Sequence, residues 1–294
     1  MHGRVFTIAL LLIAALPAAA QCKPEDGNGA YLSIVRHVRF DDTQTVTTAE
    51  GKAIAHELAG FCFDRNLPGK MLDRIRDAFQ RHGYFKVVVL DRLRVTVINA
   101  SAHPNPVDLA AVVNEGDRYW LGDIQFRGDK AFDAKTLRPL IPLKRGDIVD
   151  VEKVRQGLKA LRDLYGDHGY INFTPIPDAQ IDGTSHTISL VIDCDEGKQF
   201  AIAGVEFSAP RDFVGRLREA WKLKIGDAYS SGYVAKFFAD NRELMPSGAV
   251  PGQNLEVEQH NQTNTVVVRL KLCSSGQDCV QERLRLTAAG EGAR

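Results

Sequence analysis

The chain has 294 residues, with 37 basic and 37 acidic side chains and a formal net charge of zero. No long basic block interrupts that balance, which argues against a nucleic-acid site and against electrostatic adsorption to an anionic membrane. Beyond residue 20 there is no run of about 20 apolar residues to form a transmembrane helix, and the length suits several small cores rather than one.

In chain order, Met1 to Ala20 has the anatomy of a cleaved export signal: Arg4, an apolar run from Val5 to Leu16, and the small residues Pro17-Ala18-Ala19-Ala20. Lipidation at Cys22 is the competing reading, but Gln21 and Ala19 stand where a small residue and a Leu are wanted. Residues 21–30 read as a flexible lead-in. A first module is expected over residues 31–116, opening with a strand through Ile34–Phe40, with Thr47 or Thr48 as N-cap of a helix through Ile54 and Leu58. Leu72, Ile75, Ala78 and Phe79 then fall at helical spacing and lead to His82-Gly83-Tyr84. Val107, Leu109, Ala111 and Val113 alternate as a half-buried strand does, ending at Glu115-Gly116.

The segment that follows comes twice. Glu115-Gly116 through Phe126 is matched by Glu196-Gly197 through Phe207, at an offset of 196 − 115 = 81. The strand before it repeats as Ile188, Leu190, Ile192 and Cys194, and a third such run is Val266, Val268, Leu270 and Leu272. Leu143-Lys144-Arg145-Gly146-Asp147 returns as Leu223-Lys224-Ile225-Gly226-Asp227, a Gly-bearing turn suited to a helix end. Val151, Val154, Leu158, Leu161, Leu164 and Tyr165 make an amphipathic stripe ending at His168-Gly169-Tyr170. A fixed period of about 80 residues is the mark of tandem modules. The second module is expected over 117–197, a divergent third over 198–273 and a tail over 274–294.

The module order is strand, helix, helix, strand, strand. That order, with Asp123-Ile124-Gln125-Phe126-Arg127-Gly128, the Leu143 turn, Gly169-Tyr170 and Asp195-Glu196-Gly197, resembles the POTRA (polypeptide-transport-associated) domain. Such domains occur in tandem in the outer-membrane β-barrel assembly and translocation family. The first module departs from the pattern, with Phe63-Asp64-Arg65-Asn66-Leu67-Pro68 in place of the Leu-Lys-x-Gly-Asp turn. The third has Ser247-Gly248-Ala249 and no Gly-Tyr. The resemblance implies an α+β fold, each module a three-stranded mixed sheet with two helices on one face. Connectors of a few residues imply contact between modules and a curved rod. Only 22 residues follow Leu272. That is too few for eight membrane strands of about 9 to 11 residues each, so a barrel partner is expected to be another chain.

Five cysteines in an exported chain suit disulfides. Cys273 and Cys279 form the easiest pair, closing a short loop. Cys22 and Cys62 could pin the lead-in to the first module, with connectivity left open. Cys194 shares the Ile188-Leu190-Ile192 face and reads as a buried, inert thiol. His82 and His168 precede Gly at helix ends, where an imidazole can meet terminal carbonyls. Asp193, Asp195 and Glu196 read as a solvated strand end. The sequons at Asn99, Asn172 and Asn261 are short enough to arise by chance. No nucleophile elbow, phosphate loop or metalloprotease motif occurs, and no metal, cofactor or enzymatic activity is expected.

A sheet covered on one face leaves an open edge that can template an extended chain. The resemblance places that edge on the strand after Gly-Tyr: Phe85, Lys86, Val87, Val88, Val89 and Leu90 in the first module, and Ile171, Asn172, Phe173 and Thr174 up to Ile176 in the second. Pro175 and Pro177 cannot donate to a ladder, so the second edge should bind over a shorter stretch. The expected role is a non-enzymatic periplasmic scaffold at the inner face of the outer membrane. It would bind unfolded or extended client polypeptides, or an outer-membrane β-barrel protein, and reach the membrane only through that partner. The alternative is an envelope adaptor that docks a single folded partner.

Overall fold

A computed structural model describes residues 32–285 except 45, 103, 246–248 and 274–277. The expected export signal, the lead-in and Cys22 lie outside the described residues.

The first module contains β1 (Leu32–Asp41), α1 (Thr48–Glu57), β2 (Cys62–Asp64), α2 (Pro68–Arg81), β3 (Val88–Val97) and β4 (Asn105–Asn114). Thr47 caps α1 as half of a capping box: its hydroxyl accepts from Glu50 N, while the Glu50 carboxylate accepts from Thr47 N. Pro68 opens α2, where the missing N–H costs nothing. The sheet order is β2-β1-β4-β3, with β1 parallel to β4 and the other pairs antiparallel. Ile54, Ile75, Ala78 and Phe79 from the helices meet Val35, Val107, Ala111 and Val113 from the sheet, all buried.

The second module runs β5 (Trp120–Arg127), α3 (Ala134–Leu137), a 3-10 turn (Arg138–Leu140), α4 (Val151–Asp167), β6 (Thr174–Asp182) and β7 (Thr187–Asp195). Its sheet order is β5-β7-β6. Asp133 caps α3 by accepting from Thr136 N at 2.9 Å. Pro139, within the 3-10 turn, denies the expected first helix a longer run. Gly157 of α4 stands so close to Ile141 that a Cβ would come within 2.4 Å of the Ile141 Cδ1.

The third module holds β8 (Ala201–Pro210), α5 (Arg211–Ala220), α6 (Ser231–Asp240), a 3-10 turn (Arg242–Leu244), α7 (Pro251–Asn254), β9 (Leu255–His260), β10 (Thr265–Lys271) and β11 (Cys279–Arg285). Its order is β11-β8-β10-β9, with β8 parallel to β10. Phe207, Leu217, Val266, Val268 and Leu270 are fully buried in its core.

The mixed α+β character is as expected, but two of the three sheets have four strands rather than three. β2 is a three-residue strand between helices, too short to show a period. β11 lies in the expected tail, and its Val280 and Leu284 pack against the core. Cys273 and Cys279 are joined in a disulfide. Cys62 is also disulfide-bonded. Cys194 is free and buried, and burial with nearby acidic groups pushes its thiol up to about 11, so it stays protonated and unreactive at neutral pH.

By compactness the chain divides into two units. One reaches to Leu121 and takes in Gly146–Val151 and Gly183–Thr187; the other holds Gly122–Arg145, Glu152–Asp182 and the chain from Ile188.

Candidate functional site

The repeated sequence motif is a seam between consecutive modules, built twice from the same bonds. At the first seam, Tyr119 N donates to the Gly83 carbonyl at 2.9 Å and Val149 N donates to the Tyr119 carbonyl at 3.1 Å. Leu121 N donates to Asp147 O at 2.7 Å and Gly146 N to Leu121 O at 2.8 Å. At the second, Phe200 N donates to Gly169 O at 2.9 Å, Tyr229 N to Phe200 O at 2.9 Å, Ile202 N to Asp227 O at 2.9 Å and Gly226 N to Ile202 O at 2.8 Å. The residue before each aromatic also reaches back to a helix-end carbonyl: Arg118 Nε to His82 O at 3.0 Å, Gln199 Nε2 to His168 O at 2.9 Å. Both seam glycines have positive φ, +90° at Gly83 and +86° at Gly169. A Cβ would lie 2.5 Å from Ile148 Cγ2 at the first and 2.8 Å from Phe200 O at the second.

The Glu of each Glu-Gly pair turns back onto its own module. Glu115, buried at 2% exposure, accepts from Gln44 N at 2.6 Å. Glu196 accepts from Lys130 N and Ala131 N, both at 2.8 Å, and from the Tyr165 hydroxyl at 2.9 Å. Burial, followed by that bond to Glu196, drives the Tyr165 phenol well above its ordinary range. The two histidines stay local: His168 Nδ1 is 2.8 Å from Leu164 O and His82 Nε2 is 2.5 Å from the Glu57 carboxylate. No group of three metal-ligating side chains forms among the described residues.

The exposed edges lie elsewhere. β3 ends the first sheet and β6 the second. In both modules the strand after Gly-Tyr begins three residues later than the edge expected from the sequence. Phe85, Lys86 and Val87 form a turn in which Val87 N donates to Tyr84 O at 3.2 Å; Ile171, Asn172 and Phe173 repeat it, Phe173 N donating to Tyr170 O at 3.1 Å. Val87, Val89 and Phe173 are buried, Phe173 stacked on Tyr165 at 3.7 Å. The Lys86 ammonium sits 5.4 Å from the Tyr119 ring centre. Phe85 and Ile171 are partly buried, Asn172 and Thr174 exposed, and Val88 and Leu90 of the first edge expose apolar side chains, at 52% and 42%.

The open backbone of β3 runs further on. Ile98 N donates to Pro106 O at 2.9 Å, so by strand alternation the amides of Leu93, Val95 and Val97 point away from β4. Their period-two spacing was readable in the sequence. A register shift between Val89 and Leu93 bulges the strand, and Val97 and Ile98 expose apolar surface beyond it. On β6, Pro175 is buried while Ile176 and Ile181 are exposed.

Residues 119–197 match the POTRA family model, described as "Surface antigen variable number repeat". The middle module is a POTRA domain. The three modules together carry the fold of consecutive POTRA domains: the crystal structure of Haemophilus influenzae BamA POTRA3-5 superposes with a TM-score of 0.60 at 19% identity, covering 84% of this chain and 100% of that one. Among curated proteins, the "Putative outer membrane protein assembly factor" of Treponema pallidum (strain Nichols) is 25% identical over 219 residues, 72% of this chain and 26% of its own length. Outer membrane protein assembly factor BamA of Neisseria meningitidis serogroup B is 24% identical over 136 residues, 45% of this chain and 16% of its own. The chain thus spans about a quarter or less of the length of these relatives. POTRA domains are non-enzymatic scaffold modules. Of the Glu-Gly, Leu-Lys-x-Gly-Asp and Gly-Tyr signatures, the Gly carbonyl of Gly-Tyr meets the next module, whereas the Glu and the Gly-Asp turn each bond within their own module.

Proposed function

We propose that this chain is a periplasmic scaffold in outer-membrane protein assembly or protein transport. It holds extended polypeptides, or a strand of an outer-membrane β-barrel partner, along the open edges of its POTRA modules. The carrying observation is the outward row of Leu93, Val95 and Val97 amides on β3, beside exposed Val88, Leu90, Val97 and Ile98. Main-chain hydrogen bonds along such an edge supply affinity that tolerates many client sequences. The relatives named as assembly factors support the same setting. β6 is the lesser edge, because Pro175 and Pro177 have no N–H to offer.

The test is a paired substitution. Alternation turns the Val88 N–H toward β4, so a proline there would cut the sheet itself; Val95 is the position that removes an outward donor alone. Val95→Pro should weaken binding of unfolded outer-membrane protein several-fold, while crosslinking in intact envelope should recover a β-barrel protein with the unsubstituted chain. Binding unchanged by Val95→Pro in a folded module would place the clients elsewhere.

A further inference from the structure

The first strand of each module meets a different neighbour on the side away from the sheet's centre: β2 pairs with Leu32–Ile34 of β1, β11 with β8, and no strand among the described residues with β5. Val35, Leu121 and Ile202 are equivalent: each donates its N–H to the turn that follows the helix or helices, Val35 to Phe61 O at 2.9 Å, Leu121 to Asp147 O, Ile202 to Asp227 O. Each is also buried. Along a strand, residues facing the core share one side for their amides, so the inward residues that come next also aim their N–H groups at the outer edge. On β8 these are Val205 and Phe207; on β5 they are Ile124 and Phe126.

β11 occupies that edge on β8. It runs antiparallel from Cys279 opposite Pro210 to Arg285 opposite Gly204. Val280 and Leu284 turn to the core, Arg283 pairs with Glu206 at 2.7 Å, and Glu282 pairs with Arg218 of α5 at 2.7 Å. The middle module builds its β5-β7-β6 sheet without a counterpart to this strand among the described residues. Among the described residues, no strand lies on the corresponding edge of β5. A side chain covers it instead: the Asp123 carboxylate accepts from Ile124 N at 2.8 Å and also meets Gln125 Nε2 at 3.4 Å. The residue 81 places on from Asp123 is Gly204, which has no side chain to interpose, and there the strand is present.

We propose that the β5 edge at Ile124 and Phe126 is a second strand acceptor. It takes an extended antiparallel polypeptide segment of β11-like pattern, and Asp123 is its displaceable cover. The occupant places an apolar side chain opposite Ile124, a polar one opposite Gln125 and, unlike β11, an acidic one opposite Arg127, which stands where β8 has Ser208. An incoming amide replaces the Asp123 carboxylate with a carbonyl on the same N–H, so no buried donor is left unmet at any stage. The inference rests on the reading that these modules take extended strands, but it concerns a different edge from β3.

The test uses the whole exported chain and a synthetic peptide of residues 279–285 with Cys279→Ser, together with its Gln281→Glu form. Amide exchange at Ile124 and Phe126 should slow about tenfold on binding, more strongly with the Gln281→Glu peptide. Asp123→Gly should tighten binding about fivefold. A Gln125→Cys chain should form a disulfide with a peptide carrying Arg283→Cys and not with one carrying Val280→Cys. If exchange slows only at Leu93, Val95 and Val97, the β5 acceptor is overturned and the β3 edge stands. If it slows at neither edge, both readings fall.

Discussion

The N–H of Tyr119 and the carbonyl of Gly83 meet at 2.9 Å, and the equivalent atoms of Phe200 and Gly169 meet at the same distance. Two glycines with φ near +90° thus present their carbonyls to the aromatic that opens the next module. A side chain at either would be strained by its backbone and would also strike the neighbour.

Those two penalties can be separated. Gly146 has φ +84° but nothing within 4 Å of a Cβ, whereas Gly83 has φ +90° and Ile148 at 2.5 Å. Gly146→Ala should cost about 1 kcal/mol, the dihedral term alone, and Gly83→Ala about 2–3 kcal/mol with crowding added. Urea midpoints of the two variants measure the difference; equal costs would show that the seam relaxes freely around a methyl group.

Glu196 ties three donors to the end of β7. Glu196→Ala leaves the Lys130 and Ala131 amides and the Tyr165 hydroxyl without that acceptor, and should destabilise by about 2–4 kcal/mol. Tyr165→Phe removes only one of the bonds and should cost about 1 kcal/mol. Thermal unfolding of both variants checks the ranking.

The Glu57 carboxylate gives the fold an acid dependence. Burial works to raise its pKa, but hydrogen bonds from His82 and Arg81 outweigh it, leaving the group below its ordinary 4.5. A depressed folded-state value means stability that is present above 4.5 and lost as pH falls through the lower, folded value. The gap in unfolding midpoint between the unsubstituted chain and Glu57→Gln should therefore be constant from pH 7 to 5 and shrink below pH 4.5. A gap that widens in acid would reverse the sign of the argument.

The Cys273–Cys279 bridge closes a ring with a sequence separation of 6. Replacing both residues by Ser should lower stability by about 2 kcal/mol, the loop-entropy figure for so short a ring. Amide exchange should rise in β11 before it rises in β10, because β11 is the edge strand, paired with β8 on one side, whereas β10 lies between β8 and β9. Simultaneous exchange of both strands would mean that β11 is an integral part of the module core.

The sequence was most legible where a physical period or a fixed offset spoke. Val107, Leu109, Ala111 and Val113 alternate and are all buried, and offsets of 81 for the aromatic strand and 80 for the Gly-Asp turn carry the bonds of one seam onto the other, although Gly83 and Gly169 stand 86 apart. It was least legible where contacts made across the fold override local pattern. β2 has only three residues and exists because β1 offers it a partner. β11 reads as a polar tail and becomes a strand because β8 has an open edge, with Gly204 opposite the end of β11 at Arg285. The edge residues were placed three positions early because nothing in Phe85-Lys86-Val87 signals a turn; the tight approach of Val87 N to Tyr84 O forms there as Val87 packs into the core.

The seam also makes the middle module a cassette. Its Tyr119 N–H docks backwards on the Gly83 carbonyl and its Gly169 carbonyl docks forwards on the Phe200 N–H, with Gln199 in the place that Arg118 holds one period earlier. A duplicate of residues 119–199 spliced in after Gln199 would find Gly169 waiting for Tyr119, and its own Gly169 would receive Phe200. A single tandem duplication would thus reuse, at the added joint, the backbone bond that the chain already makes at both of its own.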